Sequence, residues 1–207
     1  MRGRIIEAAI HCLNRVGYGQ TTTLLIQEQA RVPRGTLLHH FPTRVDVMLA
    51  VAEHVVFTNR KVIIERLIAV PRGRERFFAM TDVCFEVFTE PPAIAFLEIL
   101  IASRNDPVLG LRLPPLIEDL EKAQRDSIWD VARDIGVTDR AAVETMAELH
   151  QAAQRGLTIE LMLVSDRRRI DKANQLLKWY KERWLNAVLE LADQPSQPPR
   201  LDAPPIS

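Results

Sequence analysis

From Thr21 to Phe41 the chain runs TTTLLIQEQARVPRGTLLHHF, and its polar side chains are of the types that touch nucleic acid. Hydroxyls, a guanidinium and imidazoles stand together on two short helical segments around a tight turn. Thr21, Thr22 and Thr23 can each cap the amides of the first of these two helices or bond a DNA phosphate beside them, and both duties stay open. Other chemistries lack their residues. His39 and His40 are neighbours that point different ways on a helix, so they make no metal site. No CxxC, HExxH, glycine-rich phosphate loop or GxSxG elbow occurs, so no enzyme, metal or cofactor is expected.

The elements that must position these side chains follow from hydrophobic spacing. Ile5, Ala8, Ala9, Cys12, Leu13 and Val16 recur at three- and four-residue steps, which predicts a helix from Arg4 to Val16 closed by a left-handed Gly17. Tyr18 can lay its ring on the core while its hydroxyl stays in water. Leu25, Ile26 and Ala30 give the next helix a buried side. Arg31-Val32-Pro33 ends it, because a residue before proline is pushed out of helical geometry, and Pro33 opens the third helix. Leu37 faces inward with Phe41 one turn on, sending Gly35, Thr36, Leu38 and His39 outward or to the flanks. So short a helix must lean on the first two. Thr43 and Asp46 then resemble a capping box with aspartate in place of glutamate, opening a long helix to about Val70.

Whole-chain composition bounds the rest. Of 207 residues 47% are hydrophobic and 26% charged, with zero formal net charge, so no global basic field exists. Residues 1–50 nevertheless hold six arginines against three acids. Cys12 and Cys84 fall in helical segments as small core residues, and no disulfide is expected. No apolar run approaches the ~18 residues of a membrane span, so a soluble, cytoplasmic protein without membrane contact is expected.

Beyond Pro71 the pattern is helical throughout. A helix from Arg74 to Thr89 is broken by Pro91-Pro92, and Ala93 to Ser103 is nearly all apolar. Asn105 to Pro115, with three prolines and Gly110, is expected to be the main loop, with a helix from Leu116 to Ile135 after it. Next comes a helix apolar on more than one face: Val143, Met146, Leu149, Ala153, Leu157, Leu161 and Val164 on one side, Ala152, Ile159, Met162 and Leu163 on another. The last helix carries a seam through Ala173, Leu176, Tyr180, Trp184, Val188 and Leu191. Two such helices suit a dimer interface, with Val143, Leu157, Leu161, Leu176, Tyr180, Trp184 and Val188 as its candidates; alternatively they only close the monomer core. The fold class is therefore all-α: a three-helix N-terminal domain (1–45), a C-terminal helical bundle (46–192), about nine helices in total, and a proline-rich tail (193–207) expected to be disordered.

The run RIIEAAIHCLNRVGYGQTTTLLIQEQARVPRGTLLHHFPTRVDVMLAV resembles the DNA-binding domain of tetracycline-repressor-type (TetR-like) regulators, in its alanine pair, glycine-tyrosine turn, threonine run and closing histidine-phenylalanine. The resemblance covers about fifty residues; the remainder agrees only in architecture. It implies a homodimer on a palindromic operator in double-stranded DNA, the third helix in the major groove. Arg34 and Thr36 would then read bases, and His39 stays open between bases and backbone. Thr22 or Thr23, His40 and Arg44 would hold phosphates, and Arg2 and Arg4 would follow the backbone or a minor groove. Three positions depart from the family pattern. Arg31 replaces the usual turn glycine, Pro33 the usual cap, and Leu38 a common tyrosine, leaving an apolar side chain able to meet a thymine methyl.

The family usually encloses an inducer in its C-terminal bundle. Here Phe57, Met80, Phe88, Phe96, Trp129, Met146 and Leu149 are the possible lining, with His150, Gln151 and Gln154 as polar contacts, which favours an apolar effector. The implied function is a transcriptional regulator, a repressor released by a small molecule. A constitutive DNA-binding regulator without ligand is the alternative, and an enzyme the remote third.

Overall fold

The computed structural model describes residues 1–164 and 166–193. Among these, nine helices and no strand occur: α1 (Arg2–Gln20), α2 (Thr23–Ala30), α3 (Arg34–His40), α4 (Arg44–Ile68), α5 (Arg74–Phe88), α6 (Pro91–Ala102), α7 (Pro107–Arg133), α8 (Arg140–Leu163) and α9 (Arg168–Asp193). None is long and apolar enough to cross a membrane. The proline-rich tail lies outside the described residues.

The chain divides into two compact units. The first comprises Met1–Arg66 and Cys84–Gln124; the second comprises Leu67–Val83 and Arg125 onward. In the first, α1 packs on α2 and α6. Ile5, Ala9, Cys12 and Leu13 of α1 meet Ile26, Leu37, Phe41, Val47, Met48 and Val51, and the same core takes in Phe96, Ile99, Leu109 and Leu113. The predicted periodicity of α1 and the inward pair Leu37 and Phe41 are thus what holds α3 in place. In the second unit Phe77, Ala132, Val137, Val143, Met146 and Leu185 form the core, and α8 packs on α9.

Local chemistry explains most boundaries. Gly17 interrupts α1 at φ 70, ψ 174. Its φ is positive as the sequence predicts, but its ψ is extended, a region essentially reserved for glycine. The Thr43–Asp46 box forms: Thr43 N donates to Asp46 Oδ2 at 2.9 Å and Asp46 N to Thr43 Oγ1 at 3.2 Å. The Thr43 bond above all, and then Arg112, hold the Asp46 carboxyl below its ordinary range against the opposing effect of burial.

One expectation fails. Asn105 to Pro115 is not a loop, because α7 begins at Pro107 and runs through Pro114 and Pro115. Asp106 Oδ1 accepts the Leu109 amide at 3.1 Å as a cap, and Pro107 needs no partner in a first turn. Both later prolines are exposed, where carbonyls deprived of an amide can be solvated, while Leu109 and Leu113 anchor the helix in the core. Gly110 belongs to this corner too: a Cβ there would lie 2.6 Å from the Ser103 carbonyl oxygen. Pro91 and Pro92 do mark the break between α5 and α6, as the sequence predicts, and themselves form the first turn of α6.

Candidate nucleic-acid interface

The turn between α2 and α3 is built on a residue that would be expected to avoid it. Arg31 sits at φ 51, ψ 52, the left-handed region, and it is the only non-glycine residue with positive φ among those described. Its amide donates to the Glu28 carbonyl at 3.1 Å and the Val32 amide to the Gln27 carbonyl at 3.3 Å. That pair is the Schellman closure, which satisfies carbonyls at the end of α2. Arg4 reaches over from α1 and donates to the Arg31 carbonyl at 3.1 Å. Pro33 then opens α3 with no side-chain cap, as its identity requires.

On the outer side of α3, Arg34, Gly35, Leu38 and His39 are exposed, and Thr36 and His40 are half-buried. Leu38 is 41% exposed, although it sits beside the fully packed Leu37. The rings of His39 and His40 meet edge to face at 5.4 Å. Thr22 caps α2, its hydroxyl accepting the Leu25 amide at 3.1 Å, and Thr23 occupies the first turn half-buried. Thr21 is fully buried and donates to the Gly17 carbonyl at 2.7 Å.

Three arginines predicted to reach phosphate are engaged with the protein itself. Arg44 donates to the carbonyls of Thr21, at 2.8 Å, and Tyr18, and its guanidinium lies 4.0 Å from the Tyr18 ring centre. Arg2 pairs with Glu53 at 3.4 Å and lies over the Phe41 ring. Arg4 holds Arg31 as described. Arg34, by contrast, makes no hydrogen bond or ion pair among the described residues.

Tyr18 ties this head to α6 and α7. Its amide donates to Glu98 Oε2 at 2.9 Å, and its hydroxyl donates to Asp106 Oδ2 at 2.7 Å rather than facing water. Burial above all, and then the Asp106 bond, pushes the phenol up to about 12. Arg112 of α7 adds a contact to Asp46 at the start of α4, at 2.8 Å. Glu98, Asp106 and Arg112 carried no signal in the sequence. Each lies some 65–90 residues from its partner, and only tertiary packing brings them there.

Residues 5–51 match the family model described as bacterial regulatory proteins, tetR family. Its N-terminal domain is of the tetR family's type. The HTH-type transcriptional regulator CymR of Pseudomonas putida is 25% identical to it over 184 residues, 88% of this chain and 90% of that one. Among solved structures, the fatty acid degradation regulator FadR of Bacillus halodurans superposes with a TM-score of 0.65 at 16% identity, covering 86% of this chain and 98% of that one. A protein of Saccharomonospora viridis described as a transcriptional regulator, in complex with choline, gives 0.67 at 20% identity over 87% and 95%. The protein is a DNA-binding transcriptional regulator with a tetR-type N-terminal domain.

The C-terminal candidates scatter. Phe96 lies in the core of the first unit and Phe88 is half-buried there, whereas Trp129 and Met146 belong to the core of the second. Phe57 and Leu149 are 65% and 64% exposed, because the helix faces that carry them turn away from either core. Met80, His150 and Gln154 are buried in the second unit. Gln154 donates to the Thr81 carbonyl at 2.7 Å and to Asn174 Oδ1 at 3.3 Å, while Asn174 and Lys178 hold Asp82. His150 Nδ1 faces the Met146 carbonyl at 3.0 Å. Burial foremost, then the nearby Lys181 charge, lowers its imidazole to about 4. Of the interface candidates, Leu176 and Tyr180 are exposed and Leu157 and Leu161 half-buried. Val143 lies in the core, Val188 packs against it, and Trp184 stacks on Phe77 at 6.3 Å. On α8 the outer face is taken instead by Leu149, read in one row with Val143, and by Ile159 and Leu163.

Proposed function

We propose that two copies of this chain repress transcription from a palindromic operator, residues 1–45 reading the DNA, and that a small apolar effector bound within residues 46–192 releases them. The observation that carries this reading is the outer face of α3, where Arg34 is exposed and uncommitted on a helix locked in place by Leu37 and Phe41. Arg34 takes a guanine edge, Thr36 and Leu38 face neighbouring bases, and His39 and His40 flank them. Thr22 and Thr23 lie at a helix N-terminus suited to phosphate. Arg2, Arg4 and Arg44 act chiefly by fixing the head, through Glu53, Arg31, Thr21 and Tyr18.

A small-molecule effector is supported by the relatives. The S. viridis protein holds choline, and the multidrug binding protein EbrR was solved with imidazole. In this chain Met80, Met146, His150 and Gln154 offer the buried apolar and polar groups for such a molecule. The Tyr18 contacts to Glu98 and Asp106 are a route by which a shift of α6 or α7 moves the head. Selection of bound fragments from genomic DNA is the test. Enrichment of one inverted repeat is expected, and its loss with Arg34→Ala. Recovery of fragments at background frequency would refute specific DNA binding.

A further inference from the structure

The left-handed turn between α2 and α3 is held by a residue ill suited to it. Every other positive φ among the described residues belongs to glycine, at Gly17, Gly73 and Gly136, whereas φ 51 here belongs to Arg31. Glycine would take this conformation without the clash between Cβ and carbonyl oxygen that arginine must bear. The side chain gives the fold nothing in return. Arg31 is exposed, and its guanidinium makes no hydrogen bond, ion pair or ring contact among the described residues. Only its backbone is used, in the closure of α2 and in the bond from Arg4. A strained residue whose side chain the fold leaves idle points to a duty outside the chain.

Charge shows what that duty is. Glu28 is exposed one turn back on α2, at a spacing where an acid and an arginine can pair, yet no ion pair joins the two. Arginines gather at the corner instead. Arg4 Nη2 lies 3.1 Å from the Arg31 carbonyl oxygen, and Arg34 follows three residues on, across Pro33. Val32, buried between them, pins the turn to the core. None of the three arginines has an acidic partner among the described residues. Cations collected without acids are relieved by a polyanion, and a guanidinium fork matches two oxygens of a phosphate. Arg2 and Arg44, also expected to reach the backbone, are committed to Glu53 and to the Thr21 and Tyr18 carbonyls.

We propose that Arg31 is a phosphate clamp, its guanidinium holding the DNA backbone beside the bases that Arg34 reads, and that this contact is why the turn keeps an arginine at the expense of stability. The inference rests on the DNA-binding reading above and adds a backbone contact from the turn itself.

Binding of the full chain to a random-sequence duplex over a salt series, with urea unfolding alongside, tests it. Arg31→Gly should unfold at a higher urea concentration yet bind every duplex about three- to tenfold more weakly, and its plot of log affinity against log salt should flatten by about 0.9 for each phosphate released. Arg31→Lys keeps the charge and should keep the slope. Arg31→Asn tolerates a left-handed turn but carries no charge, so it should lose the same slope as Arg31→Gly, which separates loss of the cation from glycine's added freedom. If Arg31→Gly keeps wild-type affinity and slope, the arginine touches no phosphate and the inference falls. It falls equally if Arg31→Lys flattens the slope as much as Arg31→Gly does. A loss confined to one operator sequence, with the slope intact, would make Arg31 a base reader and overturn the clamp. A wild-type chain with no salt-dependent affinity for any duplex would overturn the DNA-binding reading itself.

Discussion

Arg31 and Arg44 are two arginines whose backbone or guanidinium shapes the reading head, and Arg34 is one left free to read. At φ 51 an arginine in the α2–α3 turn holds a conformation that costs a non-glycine residue about 1–2 kcal/mol. Arg31→Gly should therefore stabilise the chain by about 0.5–1 kcal/mol in urea unfolding, the gain being trimmed by glycine's greater freedom when unfolded. The Arg4 bond to the Arg31 carbonyl survives that change, because it uses the backbone. Arg34 and Arg44 should separate cleanly. Arg34→Ala should cost about 1–3 kcal/mol of operator affinity, relax one base position and leave stability unchanged. Arg44→Ala should lower stability by about 1–2 kcal/mol, since the Thr21 carbonyl loses its donor and the Tyr18 carbonyl keeps only the Thr21 amide, and lower affinity for every sequence as a consequence. Parallel filter binding and unfolding would check both, and an Arg44→Ala chain of wild-type stability would reassign that residue to phosphate contact alone.

At the scale of the element, α8 separates what periodicity can tell from what it cannot. Spacing alone shows that α8 is apolar on two sides, and the structure has two such sides. It does not show where one side ends: Val143 and Leu149 read as one side, yet the fold buries Val143 and leaves Leu149 exposed with Ile159 and Leu163. The start of α7 was illegible for a different reason. Three prolines and a glycine ordinarily mark a loop, and only the Asp106 cap and the Ser103 carbonyl against Gly110 turn them into a helix and a tight corner. The head was legible almost throughout, because short local spacings fix it, whereas the Tyr18 contacts to Glu98 and Asp106 needed the fold. The inward side of α8 also makes a prediction. His150, 9% exposed, is lowered to about 4 from an ordinary 6.5, so the folded state resists a proton that the unfolded chain accepts. Its contribution is fully present above pH 6.5 and is lost as pH falls toward 4, at about 1.4 kcal/mol per pH unit. Urea midpoints measured between pH 7.5 and 4.5 at fixed ionic strength should fall more steeply for the wild type than for His150→Gln, and equal slopes would show that another group dominates.

For the whole molecule, the coupling between operator and effector must be reciprocal. If an effector lowers operator affinity by some factor, bound operator lowers effector affinity by the same factor. A difference of about 1–3 kcal/mol, or roughly 5–150-fold, is the ordinary size. The physical link available within the first unit is short: Tyr18 bonded to Glu98 of α6 and to Asp106 at the head of α7, with Arg44 stacked on the same ring. Weakening that link should leave each site able to bind but less able to inform the other. Tyr18→Phe is the mildest such change, since it keeps the ring, the amide bond to Glu98 and the Arg44 stack, and removes only the hydroxyl bond to Asp106. Operator affinity without effector should then stay within about twofold, and effector affinity without operator likewise, while the coupling factor between them falls by about 1 kcal/mol, the usual worth of one such hydrogen bond. Titration of operator at zero and saturating effector, and of effector at zero and saturating operator, closes the cycle. A Tyr18→Phe protein with the full coupling factor would place the transmission in α4 instead, the helix that begins at Arg44 directly beneath α3.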